Sequence, residues 1–154
     1  MSDSAREFSP EILQPLVAAG WTPERRVGID HWLRQLLGEG NQVFPAATAF
    51  LENFGGIRLS AAPVTNRAFN PGKTVFDPID AGSEIDRIQD WERDHGLRLF
   101  PVGSAFNGHF VLLISDDGRF FAGNDESLVL VGNDLEQALR MLIYAPHHMP
   151  VLEP

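Results

Sequence analysis

The 154-residue sequence contains no cysteine. It therefore has no disulfide framework, no thiolate zinc site, no iron–sulfur cluster and no cysteine nucleophile. It also lacks a long apolar run: the longest, Phe110 to Ile114, is far short of the roughly 20 residues that a membrane helix needs. The first residues, MSDSAREFSPEILQP, have neither the basic start nor the apolar stretch of a signal peptide. These absences predict a soluble, cytoplasmic protein.

Sequence patterns for metal or phosphate chemistry are also missing. The sequence has five histidines: His31, His95, His109, His147 and His148. Their spacings include no HExxH pattern that would place two metal ligands on one helical face. The segment from Gly103 to Gly108 lacks the Lys-Ser or Lys-Thr of a P-loop, and Asp116-Asp117-Gly118 reads as a hairpin turn and not as a calcium loop. We expect no cofactor, no metal and no enzyme activity, although a small hydrolase whose carboxylate pair is distant in sequence stays open as an alternative.

Basic residues are scarce as well. Twelve Lys and Arg stand against 21 Asp and Glu, which gives a formal net charge of −9. Such a field repels nucleic-acid phosphates and anionic lipid headgroups, so neither nucleic acid nor a membrane is an expected partner. The natural complement is a cationic macromolecule, although a negative charge also serves solubility alone.

The apolar residues recur at helical spacing in five segments. These helices are predicted to begin near Pro10, Ile29, Pro45 and Ser83, and the last one at Asn133, which caps it in a capping-box-like arrangement with Glu136. Glycines mark the ends of three of them, at Gly20, Gly55-Gly56 and Gly96. The inward face of the first helix is predicted to carry Ile12, Leu13, Leu16 and Val17. We expect Trp21, Trp32 and Trp91 to pack in the core.

Short runs of β-forming residues separated by turn sequences predict a sheet. Strands are expected at 57–59, 67–69 and 74–76, and then at 99–106, 110–115, 120–122 and 128–131. The turns Asn107-Gly108, Asp116-Asp117-Gly118 and Gly123-Asn124 are typical of an antiparallel meander. The strand from Phe110 to Ile114 is apolar throughout, so we expect it to be central and covered on both faces. Helices first and a sheet later predict a single α+β domain over residues 8–145, with 1–7 and 146–154 as flexible or extended tails.

An ordered series of motifs resembles a known family. The series runs Ala18-Ala19-Gly20-Trp21-Thr22-Pro23 with Arg25, Arg26 and Val27, then Phe50-Leu51, Phe54-Gly55-Gly56, Phe76-Asp77-Pro78, Leu99, Pro101-Val102-Gly103, Asp116, Gly118-Arg119 and Gly132. Together they resemble the third family of the SUKH superfamily of bacterial immunity proteins, over residues 8–145. The end of the last helix departs from that pattern, because Tyr144-Ala145-Pro146 stands where a glycine is expected.

The resemblance implies a fold in which N-terminal helices and a C-terminal helix pack on a strongly curved, mainly antiparallel sheet. It also implies an immunity function, the binding and neutralising of a cognate toxin domain, commonly a nuclease or deaminase. Some relatives are regulatory or scaffolding modules, so a regulatory or scaffolding role stays open as an alternative. The motif residues are glycines, prolines and core aromatics, so they indicate a scaffold and identify no toxin-contacting residue.

Charge and expected exposure supply the candidate partner-binding residues. A basic toxin domain would be contacted by carboxylates on the predicted fourth helix, the loop before it and the hairpin turns. These candidates are Asp77, Asp80, Glu84, Asp86, Asp90, Asp116, Asp117, Asp125 and Glu126.

Overall fold

The computed structural model describes residues 7–80 and 82–153. The helices of this part of the chain are α1 (Pro10–Ala18), α2 (Asp30–Glu39), α3 (Pro45–Phe54), α4 (Ile85–His95) and α5 (Leu135–Tyr144). Its strands are β1 (Arg58–Ser60), β2 (Lys73–Val75), β3 (Leu99–Ala105), β4 (Phe110–Ser115), β5 (Phe120–Gly123) and β6 (Leu128–Gly132). The predicted α+β class is confirmed. Residues 1–6 of the expected N-terminal tail lie outside the described residues.

The strands form one sheet in the order β1-β2-β3-β4-β5-β6, and every neighbouring pair is antiparallel. Sequence neighbours are thus neighbours in space, which confirms the meander predicted from the turn sequences. Irregularities in register fall at Pro101/Gly103 and at Phe120/Phe121. Bulges of this kind bend a strand and increase its twist.

Both faces of β4 are buried, as the sequence predicts. Leu112 and Ile114 belong to the larger hydrophobic cluster, together with α1, α2, α3 and α5. Val111 and Leu113 point the other way, into a smaller cluster that includes Ile88 and Trp91 of α4. The sheet therefore has four helices on one face and α4 on the other. Trp21, Trp32 and Trp91 are all buried, which confirms their predicted place in the core.

Three local predictions are wrong. Leu13 and Val17 are exposed, by 37% and 55%, because only Ile12 and Leu16 of α1 face the core. Residues 67–69 form a bend and not a strand, and the Ala68 amide donates instead to the Ala145 carbonyl. The N-cap of α5 is Asp134, whose carboxylate accepts from the Gln137 amide at 2.9 Å, and not Asn133.

The C-terminal segment lies along the outer edge of β6. The Leu130 amide donates to the Pro150 carbonyl at 2.9 Å, and the Leu152 amide donates to the Leu128 carbonyl at 2.8 Å. Val151 forms an isolated antiparallel bridge with Val129. These contacts cover an edge whose backbone groups would otherwise be open to another strand. None of the described helices has the length and apolar character needed to cross a membrane.

The close approach of β2 to β3 predicts a large cost for any side chain at Gly103. A Cβ there would collide with the Val75 carbonyl oxygen and lie 3.0 Å from Phe76 Cα. Because both neighbours are backbone, Gly103→Ala is expected to lower the free energy of unfolding by about 1–3 kcal/mol, measured by urea denaturation. The matched control is Gly38→Ala in α2, where a Cβ meets nothing within 4 Å and the change is expected to be neutral or stabilising by up to about 1 kcal/mol. Equal stability of Gly103→Ala and the wild type would contradict the observed strand spacing.

Candidate partner-binding surface

A groove lies at the end of the sheet where the β3–β4 and β5–β6 turns meet the N-terminus of α4. Its volume is about 440 Å³. We call it the acidic groove and define it by Glu84, Arg87, His109, Phe110, Asp125 and Glu126. The β4–β5 turn lies at the opposite end of the sheet, because consecutive antiparallel hairpins alternate between the two ends.

Two features of the sequence bring α4 and the β5–β6 turn together. Gly123 ends β5 without a side chain, and a Cβ there would collide with the indole ring of Trp91. The helix can therefore pack closely on the sheet at this point. The Asn124 side-chain oxygen accepts from the amides of Glu126 at 3.0 Å and Ser127 at 2.9 Å, which fixes the turn that carries Asp125 and Glu126.

Arg87 links the two walls of the acidic groove. Its guanidinium hydrogen-bonds the carboxylate of Asp125 and lies 3.8 Å from that of Glu84. The hydrogen bond with Asp125, together with the nearby carboxylates, raises the pKa of Arg87 above its ordinary value. Since the Asp125 side chain is 84% exposed, this ion pair adds little to the stability of the fold. Its main effect is to hold the two walls of the groove in position.

The carboxylates continue along α4. Asp86 and Asp90 line a shallow depression that shares Glu84 and Arg87 with the acidic groove. Asp90 pairs with Arg93 at 2.6 Å, and this contact raises the pKa of Arg93. Within the described part of the chain, the carboxylates of Asp86 and Glu126 have neither a hydrogen bond nor an ion pair. The structure thus gathers five of the nine candidate residues on one side of the molecule: Glu84, Asp86, Asp90, Asp125 and Glu126.

Two further candidates lie in the connection from β2 to α4 and hold that loop in place. The carboxylate of Asp77 accepts from the Ile79 amide at 3.1 Å. That of Asp80 accepts from the Ser104 hydroxyl at 2.8 Å, and Ser104 is buried in β3. Neither Asp77 nor Asp80 lines the acidic groove.

The last two candidates lie in the β4–β5 turn, away from the acidic groove. Asp116 is 3.7 Å from the guanidinium of Arg98. Asp117 accepts from the Ser115 hydroxyl and pairs with Arg119 at 2.9 Å. The Ser115 hydroxyl and the Arg119 guanidinium lower the pKa of Asp117. Asp117 is thus engaged within its own hairpin, whereas Asp116 faces the residue before β3.

Three residues of the acidic groove were not among the candidates predicted from the sequence. Arg87 is three residues after Glu84 on α4, a spacing that could have indicated a salt bridge within the helix. His109 and Phe110 follow the Asn107-Gly108 turn, and no sequence signal shows that this turn faces α4. Their place in the groove depends on the packing of α4 across the sheet.

The described residues contain no buried ionisable side chain. The buried polar residues are Asn41, Thr74, Ser104 and Ser115. In the same part of the chain, no group of three or more His, Cys, Asp or Glu residues is arranged to hold a metal ion. The clustered buried carboxylates that the hydrolase alternative requires are therefore not found among the described residues.

Comparison with known proteins assigns the chain to a family. Residues 8–145, nearly the whole length, match the family model described as SUKH-3 immunity protein. The chain belongs to the SUKH-3 immunity protein family. No curated protein and no solved structure shows significant similarity to it. The resemblance inferred from the ordered motifs is thereby confirmed, and membership supports an immunity role.

Several motif residues of this SUKH-3 chain lie at closely packed positions. The Trp21 indole donates to the side-chain oxygen of Asn53 at 3.2 Å and stacks on Phe54 with ring centroids 5.4 Å apart. Gly132 lies against the backbone of α5, where a Cβ would overlap Ala138. At these two positions the motif residue serves packing, and neither position lies in the acidic groove.

The departure from the SUKH-3 pattern lies at the C-terminal cap of α5. Ala145 caps α5 in the left-handed conformation with a φ of 45°, where glycine is usual. Its methyl group is fully buried in the larger hydrophobic cluster. Burial of the methyl group offsets part of the backbone strain, which for a residue other than glycine is about 1–2 kcal/mol.

The lowered pKa of Asp117 predicts a pH dependence of stability. A carboxylate whose pKa is lower in the folded state stabilises the fold above its unfolded pKa of about 3.9, and this contribution is lost as the pH falls through the folded pKa. Asp117→Asn is therefore expected to lower the free energy of unfolding at pH 7, with the difference from wild type shrinking in strongly acidic solution. Urea denaturation at a series of pH values measures it. Glu126→Gln, at an unpaired carboxylate, is the control and should show no such convergence; a constant deficit for Asp117→Asn would contradict the assignment.

Proposed function

We propose that this SUKH-3 protein binds and neutralises a cognate basic toxin domain by means of the acidic groove and the adjoining face of α4. The observation that carries the proposal is the gathering of Glu84, Asp125 and Glu126 from segments about 40 residues apart into one groove. The opposing cations on this side are Arg87 and Arg93, so the surface keeps an excess of carboxylates.

A nuclease- or deaminase-type toxin would suit this surface. Such an enzyme must hold the phosphates of its substrate, which requires Lys and Arg side chains around its active site. Carboxylates arranged in a groove present the same sign of charge as those phosphates and accept the same hydrogen bonds. Inhibition then occurs by occlusion, without turnover of any substrate by the SUKH-3 chain. The encounter takes place in the cytoplasm, where a toxin of this class finds its nucleic acid.

The direct test is co-expression with the C-terminal domain encoded by the neighbouring reading frame. The expected result is rescue of growth and co-purification of the two chains. If that domain arrests growth equally with and without the SUKH-3 chain, the immunity proposal is wrong and a regulatory or scaffolding role becomes the better account.

The excess of carboxylates also predicts how the complex forms. Asp86→Lys combined with Glu126→Lys replaces two unpaired negative charges on this side of the molecule with positive charges. The association rate constant with the toxin domain should fall by about tenfold or more at low salt and become less sensitive to salt, because electrostatic steering is lost. Stopped-flow fluorescence or surface plasmon resonance at several salt concentrations measures both quantities.

The matched control is Glu24→Lys combined with Glu52→Lys, which alters the net charge of −9 by the same amount at exposed positions outside the acidic groove. It should retain most of the association rate. Equal losses in the two double variants would show that only net charge matters, and no loss in either would remove the electrostatic part of the proposal.

A further inference from the structure

An aromatic depression borders the acidic groove. It is lined by Phe69, Phe106, Phe110, His148 and Met149, and its volume is about 310 Å³. Phe110 lines both this depression and the acidic groove, so the two adjoin at this residue of β4. The depression lies on the side of the larger hydrophobic cluster, and the groove lies on the side of α4.

The rings of the aromatic depression hold one another in place. Phe106 lies edge-on to Phe110, with centroids 5.3 Å apart, and edge-on to Phe69 at 5.8 Å. Phe69 in turn stacks on the exposed ring of His148 at 6.0 Å. Three separate segments contribute these rings: the loop before β2, the β3–β4 hairpin and the C-terminal segment. The inner sides of Phe69, Phe106, Phe110 and Met149 pack on the larger hydrophobic cluster, so the depression is anchored to the core.

The turn beneath the aromatic depression has an unusual backbone. Phe106 and Asn107 both have a positive φ, 56° and 61°, which costs a residue other than glycine about 1–2 kcal/mol. Two hydrogen bonds between Asn107 and Lys73 hold the turn: the Lys73 amide donates to the Asn107 side-chain oxygen at 2.9 Å, and the Asn107 amide donates to the Lys73 carbonyl at 3.0 Å. The depression is thus formed before any partner arrives, which reduces the entropy cost of binding.

We infer that the toxin segment recognised by this chain carries an aliphatic or aromatic side chain next to a Lys or Arg. The apolar side chain fills the aromatic depression, and the basic one enters the acidic groove on the other side of Phe110. Charge complementarity selects this occupant, because an apolar segment flanked by carboxylates would be repelled by Glu84, Asp125 and Glu126. The inference rests on the proposed function and adds to it the chemistry of the contact.

The two halves of the surface have separate kinetic signatures. Desolvated apolar anchors dominate binding energy and appear mainly in the dissociation rate, whereas exposed charges act mainly on the association rate. A change in the aromatic depression should therefore lengthen or shorten the lifetime of the complex without altering its salt dependence.

The test measures binding of the purified full chain to the toxin domain encoded by the neighbouring reading frame. Phe110→Ala should raise Kd by about tenfold or more, mostly through faster dissociation. His148→Ala changes an exposed ring that does not support the core, so it keeps the test valid if Phe110→Ala fails to fold. Loss of its stacking on Phe69 should raise Kd by about threefold, within the range measured for aromatic pairs.

Leu13→Ala is the matched control, since Leu13 is an apolar side chain of α1 that is 37% exposed and lies outside the depression. It should bind like the wild type. Folded Phe110→Ala and His148→Ala variants with wild-type dissociation rates would overturn this inference while leaving the proposed function standing. Failure of the wild-type chain to bind the toxin domain would overturn both.

Discussion

Burial of β4 on both faces sets the arrangement of the rest of the molecule. Four helices cover one face of the sheet, and the smaller cluster on the other face depends on α4. Trp91 packs where Gly123 has no side chain, so α4 lies directly against β5. The N-terminus of α4 then meets the β3–β4 and β5–β6 turns. The acidic groove is a consequence of covering the second face of the sheet.

This geometry concentrates charge that the sequence distributes widely. The carboxylates of α4 and of the β5–β6 turn face one another, and Arg87 neutralises only part of them. The acidic groove would by itself attract almost any cation. In the inferred mode of binding, the aromatic depression that adjoins the groove at Phe110 adds a requirement for an apolar side chain next to the cation. In the proposed complex, the exposed charges act on the association rate, and the apolar contact acts on affinity and selectivity.

The fold could be predicted from local signals, but the surface could be predicted only in part. Turn sequences such as Asn107-Gly108 and the glycine after α4 give the meander and the helix ends, because they depend on backbone preferences alone. Periodicity cannot show which residues of a helix find a packing neighbour. For that reason the predicted burial of Leu13 and Val17 is wrong. Charge indicated Asp125 and Glu126 as well as Asp116 and Asp117, yet only the first pair meets α4. The two turns lie at opposite ends of the sheet, and Trp91 packs α4 near only one of them. Both facts depend on the tertiary structure and cannot be predicted from the residue types of the turns.

In the proposed complex, the toxin contacts the end of the sheet that carries the acidic groove and the aromatic depression, and not the outer surfaces of α1 to α3. NMR chemical-shift mapping of the isotope-labelled chain during titration with the toxin domain tests this contact most directly. We expect the largest shift changes in residues 84–90, 106–110 and 124–127 and, at the aromatic depression, in Phe69, His148 and Met149, with α1, α2 and α3 nearly unchanged. Changes centred on α1 to α3, with the acidic groove unaffected, would contradict it.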